Sequence, residues 1–316
     1  MLLRVSQSQV SAGSEMNFFR HNPPDGPAKS ANLGYMTVGR VEAVGEGVTA
    51  YSPGDRVLSC GFHGSHWLVT LDDDGEPING ANYIQKVGAE LSDVEIGFTV
   101  LGDVALHGVR RAAPQIDESV VVFGCGIVGQ LTIQLARIAG CYPIIAIDLF
   151  DSRLEKATIS GATHTINASQ TDPVKAIMEI TNGVGGEIVF HCTPIAAMLQ
   201  TTLEAAAERG KVILTGSAPG TAEIGLQVEL MRRELSIIGN YEIGIDKPHG
   251  YWRWTRSRNR LACLRLLASG EMSFNHLISH LVPYTEAQGM FEIMRKGGDD
   301  WLGVAFDWSE FTQTEA

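Results

Sequence analysis

No apolar run in this chain approaches the ~18 residues that a membrane-crossing helix needs, which argues against a membrane span. The opening stretch Met1-Leu2-Leu3-Arg4-Val5-Ser6 has no long apolar core and no cleavage pattern, so an export signal is not expected. Basic residues are scarce as well: 24 Lys and Arg against 36 Asp and Glu leave a net charge of −12 and no basic block. Such a surface disfavours nucleic acid and anionic membranes as partners. Cysteine is sparse. The five (Cys60, Cys125, Cys141, Cys192, Cys263) are scattered, odd in number and never spaced Cys-x-x-Cys. That argues against a disulfide framework and a clustered zinc site, and for a reducing, cytoplasmic setting. Internal repeats and low-complexity tracts are missing too. What is present is an ordinary globular composition of 316 residues, 44% apolar and 19% charged, enough for two domains.

The most informative stretch is Val120-Val121-Val122-Phe123-Gly124-Cys125-Gly126-Ile127-Val128-Gly129. An apolar strand runs into Gly-x-Gly-x-x-Gly, and a helix-patterned segment follows at once. A helix that starts this way leaves its first backbone N–H groups unpaired, and glycines let a pyrophosphate approach them closely. The motif alone is weak. It gains weight from Asp148, which ends the next apolar strand, about 20 residues on. A carboxylate there can accept hydrogen bonds from ribose hydroxyls and would repel a 2′-phosphate, so NAD(H) is expected over NADP(H).

Around this turn the chain alternates. Strands are expected over 120–123, 144–148, 164–167, 188–192, 211–216 and 235–241, with helices between them over 126–139, 152–160, 173–181, 195–209 and 227–232. This is the pattern of a doubly wound six-stranded parallel sheet, an α/β Rossmann domain, with right-handed crossovers. The region before residue 90 differs. It holds short strands punctuated by turns such as Pro53-Gly54-Asp55, as in a small barrel-like β unit. After the sheet come a helix over 258–269, a segment over 283–295 and a last strand over 304–307.

The stretches Gly39-Arg40-Val41-Glu42-Ala43-Val44-Gly45-Glu46-Gly47-Val48, Pro53-Gly54-Asp55-Arg56-Val57 and Ala105-Leu106-His107-Gly108-Val109-Arg110-Arg111-Ala112, with the glycine turn and Arg209-Gly210-Lys211-Val212, resemble the medium-chain dehydrogenase/reductase superfamily, the zinc alcohol dehydrogenases and their relatives. The resemblance covers nearly the whole chain. It implies a GroES-like β-rich catalytic domain over 1–113, a Rossmann domain over 114–245 and a return to the catalytic domain over 246–316. Relatives usually carry two more strands ahead of the point matching Leu2, so the catalytic domain is expected to be shortened at its N-terminus. The resemblance also implies a homodimer paired through the last strand of the sheet.

Relatives that hold a catalytic zinc draw its ligands from positions matching Ala12, Tyr35 and a place near Val100. None of these binds zinc as the family does, and the segment from Gly75 to Gly88 lacks the four cysteines of the structural zinc lobe. No metal is therefore expected, with the pair His63-Gly64-Ser65-His66 as the residual candidate. Catalysis then falls to proton carriers. Ser14 matches a hydroxyl that relays a proton in relatives, or is a turn serine. Tyr35 can donate to a substrate oxygen, or fill the space of the metal. Asp103 and His107 share a helix face and can form a relay, or are an N-terminal acid and a buried imidazole. His63 and His66 are further acid/base candidates, and Glu15, Asn17 and Glu242 can line the pocket.

The expected cofactor residues are Gly124, Gly126, Ile127, Val128, Gly129, Asp148 and Arg153, with the strand ends Cys192-Thr193, Thr215-Gly216-Ser217 and Asn240-Tyr241. The run Tyr251-Trp252-Arg253-Trp254-Thr255-Arg256-Ser257-Arg258 is unusual in an acidic chain and can meet a sugar, an anion or a partner. The reading reached is a zinc-independent NAD(H) oxidoreductase acting on an alcohol or carbonyl of a small polar or sugar-like metabolite. Two alternatives stand beside it: an NAD(P)H enone or quinone reductase, and a non-catalytic nucleotide-binding sensor.

Overall fold

The computed structural model describes residues 1–21, 32–72, 74–78, 83–88, 90–241 and 253–311. Two compact units divide the chain: Met1–Val100 with Ile278–Ala316, and Leu101–Leu277. The limits set from sequence, 1–113, 114–245 and 246–316, differ because the first division falls inside a helix and the segment up to Leu277 stays with the sheet.

The first unit is built from β1 (Leu2–Gln9), α1 (Ala12–His21), β2 (Thr37–Ala43), β3 (Arg56–Ser59), β4 (His66–Leu68), β5 (Ile84–Lys86) and the start of α2 (Asp93–Ala112). The second runs from the rest of α2 through β6 (Val120–Phe123), α3 (Ile127–Ile138), β7 (Ile144–Asp148), α4 (Asp151–Ser160), β8 (His164–Asn167), α5 (Pro173–Ile180), β9 (Gly186–His191), α6 (Leu199–Glu204), β10 (Ala206–Leu214), β11 (Ser236–Gly239) and α7 (Arg256–Ala268). The chain returns to the first unit with β12 (Ile278–Pro283), α8 (Ala287–Lys296) and β13 (Gly303–Asp307).

In the first unit β1 is the hub of a seven-stranded sheet. It pairs antiparallel with β2, with β4 through Leu2–Arg4, and with β13 through Gln7–Gln9. Apolar side chains from alternate positions (Leu3, Val41, Val57, Val69) form one core cluster, and Val10, Met16, Met290, Val304 and Phe306 form another under α1 and α8. Strand β12, parallel to β13 and half-exposed at every second residue, was not read from sequence. Nor was α1, whose Gly13 and Ser14 look like a turn.

The second unit carries the six-stranded sheet, in the order β11-β10-β9-β6-β7-β8, with every neighbouring pair parallel. Val120–Phe123 is buried throughout, as a strand covered on both faces must be. The chain moves outward from β6 to β7 and β8, then crosses to β9 on the other side of β6. Carboxyl ends of strands that part in this way leave a crevice, the usual ligand site of open α/β sheets. One expected element is shorter than read. In place of a helix over 195–209, a 3-10 turn at Ala196–Met198 leads into α6, which stops at Glu204. Gly186 N–H donates to Ala205 O at 2.9 Å and Ala206 enters the sheet, so strand pairing overrides helix propensity there. Among the described residues no helix is long and apolar enough to cross a membrane.

Candidate active site

The glycine turn of the second unit uses each of its glycines differently. Gly124 has φ +93°, which a side chain would strain. A Cβ on Gly129 would lie 1.9 Å from Gly124 O, so the third glycine allows α3 to sit against the end of β6. A Cβ on Gly126 would meet nothing within 4 Å. Gly126 is the N-cap of α3 and has no capping side chain, so the N–H groups of Ile127 and Val128 open a space bare of protein. That cradle fits a pyrophosphate.

Asp148 closes the turn from the side of β7. Its Oδ2 accepts from Cys125 N–H at 2.7 Å, and its Oδ1 from Leu149 N–H at 2.8 Å and Phe150 N–H at 3.2 Å. A carboxylate offers about four acceptor positions. The carboxylate thus braces the turn and keeps acceptor capacity on Oδ2 for a ribose hydroxyl. Arg153, on α4, has its guanidinium carbon 4.9 Å from the centre of the Phe150 ring, and its carbonyl accepts from Gln130.

A cavity of about 680 Å³ opens at the carboxyl ends of β9, β10 and β11, lined by His191, Gly216, Asn240 and Tyr241 together with His107 and Arg111 of α2. Gly216 and Thr215 both donate to His191 O, at 2.8 and 3.0 Å, which fixes the end of β10. Asn240 donates to Val104 O at 3.1 Å. Three buried polar atoms here, His191 Nδ1, Thr215 Oγ1 and Asn240 Oδ1, have no hydrogen-bond partner among the described residues. Buried polar atoms are costly when unpaired, so such a cluster suits a polar ligand. Cys192 N–H donates to Phe123 O at 2.8 Å, and burial pushes its thiol up to about 12, which leaves it unreactive. Thr193 caps the following turn by accepting from Ile195 N–H at 3.0 Å, and Ser217, after Gly216, is exposed just beyond the end of β10. His191 and Arg111 were missed in the sequence. His191 lay inside an expected strand directly before Cys192, and that position was the available signal.

Asp103 and His107 are both buried on α2. Asp103 Oδ2 lies 3.9 Å from Arg260 Nη2 of α7, and both side chains are 2% exposed. His107 faces the cavity instead. Burial first, then the charges of Arg111 and Arg110, pull its imidazole down to about 4, so it is neutral near pH 7. The surroundings suit a neutral donor or acceptor better than a cationic acid.

In the first unit Tyr35 donates to Ser11 Oγ at 2.5 Å, and Ser11 Oγ donates to Ser14 Oγ at 3.4 Å. Ser14 is exposed at the start of α1. Glu15 is buried; its Oε1 accepts from Ser11 N–H at 2.7 Å and its Oε2 lies 3.0 Å from His63 Nε2. The other ring nitrogen of His63 lies 2.7 Å from Ser8 Oγ, and the ring packs edge-on against Phe306. His66 stands apart, 3.2 Å from Glu42 Oε2. Each of the two histidines therefore has its own carboxylate, and they do not converge. Glu242, Tyr251 and Trp252 lie outside the described residues.

Zinc chemistry needs about three converging nitrogen, sulfur or carboxylate donors. Ala12 and Val100 offer no donor atom, the Tyr35 phenol is engaged with Ser11, and no group of three His, Cys, Asp or Glu converges among the described residues. These residues do not fit the family's catalytic zinc.

Residues 128–256 match the family model described as "Zinc-binding dehydrogenase". The chain is 31% identical to an L-threonine 3-dehydrogenase of Pyrococcus horikoshii, over 84% of this chain and 79% of that protein. It is 29% identical to a D-guloside 3-dehydrogenase of Escherichia coli, over 86% and 77%. Among solved structures, the alcohol dehydrogenase TADH of Thermus sp. ATN1 superposes with a TM-score of 0.78 at 25% identity, covering 97% of this chain and 91% of that one. With a six-stranded Rossmann sheet, a β-rich unit formed from both chain ends and relatives of this extent, the chain belongs to the medium-chain, zinc-type alcohol dehydrogenase family.

Proposed function

We propose that this chain is a zinc-independent, NAD(H)-dependent dehydrogenase that interconverts an alcohol and a carbonyl on a small polar or sugar-like metabolite. The observation that carries the cofactor half is the open space at Gly126 beside a carboxylate, Asp148, bonded to the same turn. The nicotinamide dinucleotide supplies the hydride acceptor or donor. The turn N–H groups of Ile127 and Val128 bind the pyrophosphate, Asp148 takes the adenine ribose, and Arg153 borders the adenine side. Cys192, Thr193, Thr215, Gly216, Ser217, Asn240 and Tyr241 border the nicotinamide end, where the orphaned atoms of His191, Thr215 and Asn240 suit a carboxamide.

On the catalytic side the hydroxyl series Ser14, Ser11 and Tyr35 takes up the proton task that a metal-bound oxygen would ease in relatives. Ser14, being exposed, meets the substrate oxygen, and Tyr35 backs it through Ser11. His107 is a neutral hydrogen-bonding group of the cavity; Asp103, His63 and His66 serve the scaffold through Arg260, Glu15 and Glu42. The substrate class is supported by relatives named for threonine and a guloside, both hydroxyl-bearing polar compounds. A homodimer through the edge strand β11 and a cytoplasmic setting, suited to five free cysteines, complete the proposal.

The test is a fluorescence titration with NADH and NADPH, followed by turnover assays on polyols, hydroxy acids, ketones and enones. NADH is expected to bind on the order of tenfold tighter or better, because Asp148 faces the 2′-position. Asp148→Ala should narrow that preference. NADPH preference with enone turnover would overturn the proposal, as would stoichiometric zinc in the purified protein.

A further inference from the structure

The geometry points to a phosphate-binding site in the second unit, formed by Arg110, Arg253 and Arg258 around Trp254, that holds a phosphate monoester group of the substrate. It rests on the dehydrogenase reading above and narrows its substrate class.

Three guanidiniums surround one indole. The Cζ atoms of Arg110, Arg258 and Arg253 lie 3.6, 4.2 and 4.7 Å from the centre of the Trp254 ring. Cation–π contact orients the cations without cancelling their charge. Among the described residues no carboxylate forms an ion pair with any of the three; the neighbouring Asp103 faces Arg260 instead. In a chain of net charge −12, three guanidiniums around one ring, with no ion-paired acid among the described residues, stand out. Their mutual repulsion costs free energy unless an anion relieves it. Burial, with repulsion from Arg258 and Arg253 and against the attraction of Asp103, pulls the Arg110 guanidinium down to about 10.

The arginines are held in position. Arg110 donates to the buried Asn259, and Arg258 reaches back to Arg253 O at 3.4 Å. Thr255 caps α7 by accepting from Arg258 N–H at 3.2 Å, so the positive end of a 13-residue helix lies in the same place. Arg253 and Arg258 are exposed. Planar forks match the oxygens of phosphate, and three of them suit a dianion better than a carboxylate.

The cluster and the cavity share α2. Arg110 stands three residues after His107 and directly before Arg111, both of which line it. On a helix, residues three apart are neighbours, so an anion at Arg110 lies one helical step from the strand-end cavity.

Calorimetric titration of the full chain with inorganic phosphate, at fixed ionic strength set by chloride, tests the site. Phosphate is expected to bind the wild type, and Arg253→Gln/Arg258→Gln is expected to weaken it at least tenfold with NADH affinity unchanged. Glucitol 6-phosphate should displace phosphate, whereas glucitol should not. Equal phosphate affinity in the wild type and the double variant would overturn the site. Phosphate binding that glucitol 6-phosphate fails to displace would reduce it to an inorganic-anion site and overturn the substrate assignment. Should the double variant misfold, Arg258→Gln alone carries the same comparison from an exposed position. Loss of NADH binding by the wild type would count against the dehydrogenase reading, not against this site.

Discussion

A hydroxyl bonded at 2.5 Å to a second hydroxyl, itself 3.4 Å from a third, joins Tyr35 through Ser11 to the exposed Ser14, the route proposed for the proton. The sequence left two uses open for Tyr35, donor to a substrate oxygen or filler of the metal's space; in the structure its O–H donates to Ser11. If the route is used, Tyr35→Phe removes its far end while keeping the ring. The expected result is a fall in kcat of about 100-fold with KM little changed, and a stability loss of only about 1 kcal/mol. Ser14→Ala should lower kcat similarly, and the double variant should add little, since both lie on one route. Steady-state kinetics on the best substrate checks this. An unchanged kcat in Tyr35→Phe would leave the phenol as packing alone. Ser11 was not legible beforehand because its role comes from a partner, Tyr35, brought close only by folding. The same holds for Asp103: helix spacing suggested His107 as its partner, but Arg260 of α7 supplies the ion pair.

At the scale of the element, the glycine turn shows what sequence can state well. Its strand, its partner strand β7 and Asp148 appear at the expected residues, because an apolar run ended by glycine or an acid has few other foldings. The turn also separates binding from stability within one motif. Gly129→Ala would drive a Cβ to 1.9 Å from Gly124 O, and should cost about 3 kcal/mol of stability along with cofactor binding. Gly126→Ala meets no protein atom and keeps φ at −66°, so it should leave the melting temperature nearly unchanged. It should still weaken NADH on the order of tenfold, as its methyl enters the pyrophosphate space. Thermal unfolding and NADH titration on both variants check the contrast, and equal NADH affinity in Gly126→Ala would place the pyrophosphate elsewhere. Elements whose form depends on distant pairing were less legible. Strand β12 has a half-exposed ISHLVP pattern and forms by lying parallel to β13; α6 ends early because Ala206 joins β9.

For the whole molecule, the legible part is the parallel sheet and its glycine turn, set by local patterns. The part that was not legible is the electrostatic setting, which sums groups from many elements. His107 carries the clearest consequence. Folded, its imidazole is held down to about 4 by burial and by Arg111 and Arg110, against an ordinary value of 6.5. Between these limits the unfolded chain binds a proton that the folded chain refuses. Stability therefore rises with pH across the window; the contribution is complete above about 6.5 and is lost as pH falls towards about 4. By linkage the full effect is about 3 kcal/mol. Burial lowers His191 and His276 in the same direction, so they steepen the slope. Urea unfolding of the cofactor-free protein from about pH 7 to about pH 4 measures this, and His107→Gln should flatten the curve by removing one titrating group. Carboxylates that titrate at the acid end contribute equally to both proteins and cancel in the difference. Parallel stability curves for the two would mean that His107 is not held neutral by its surroundings, and that its place beside the cavity leaves it free to act as an acid.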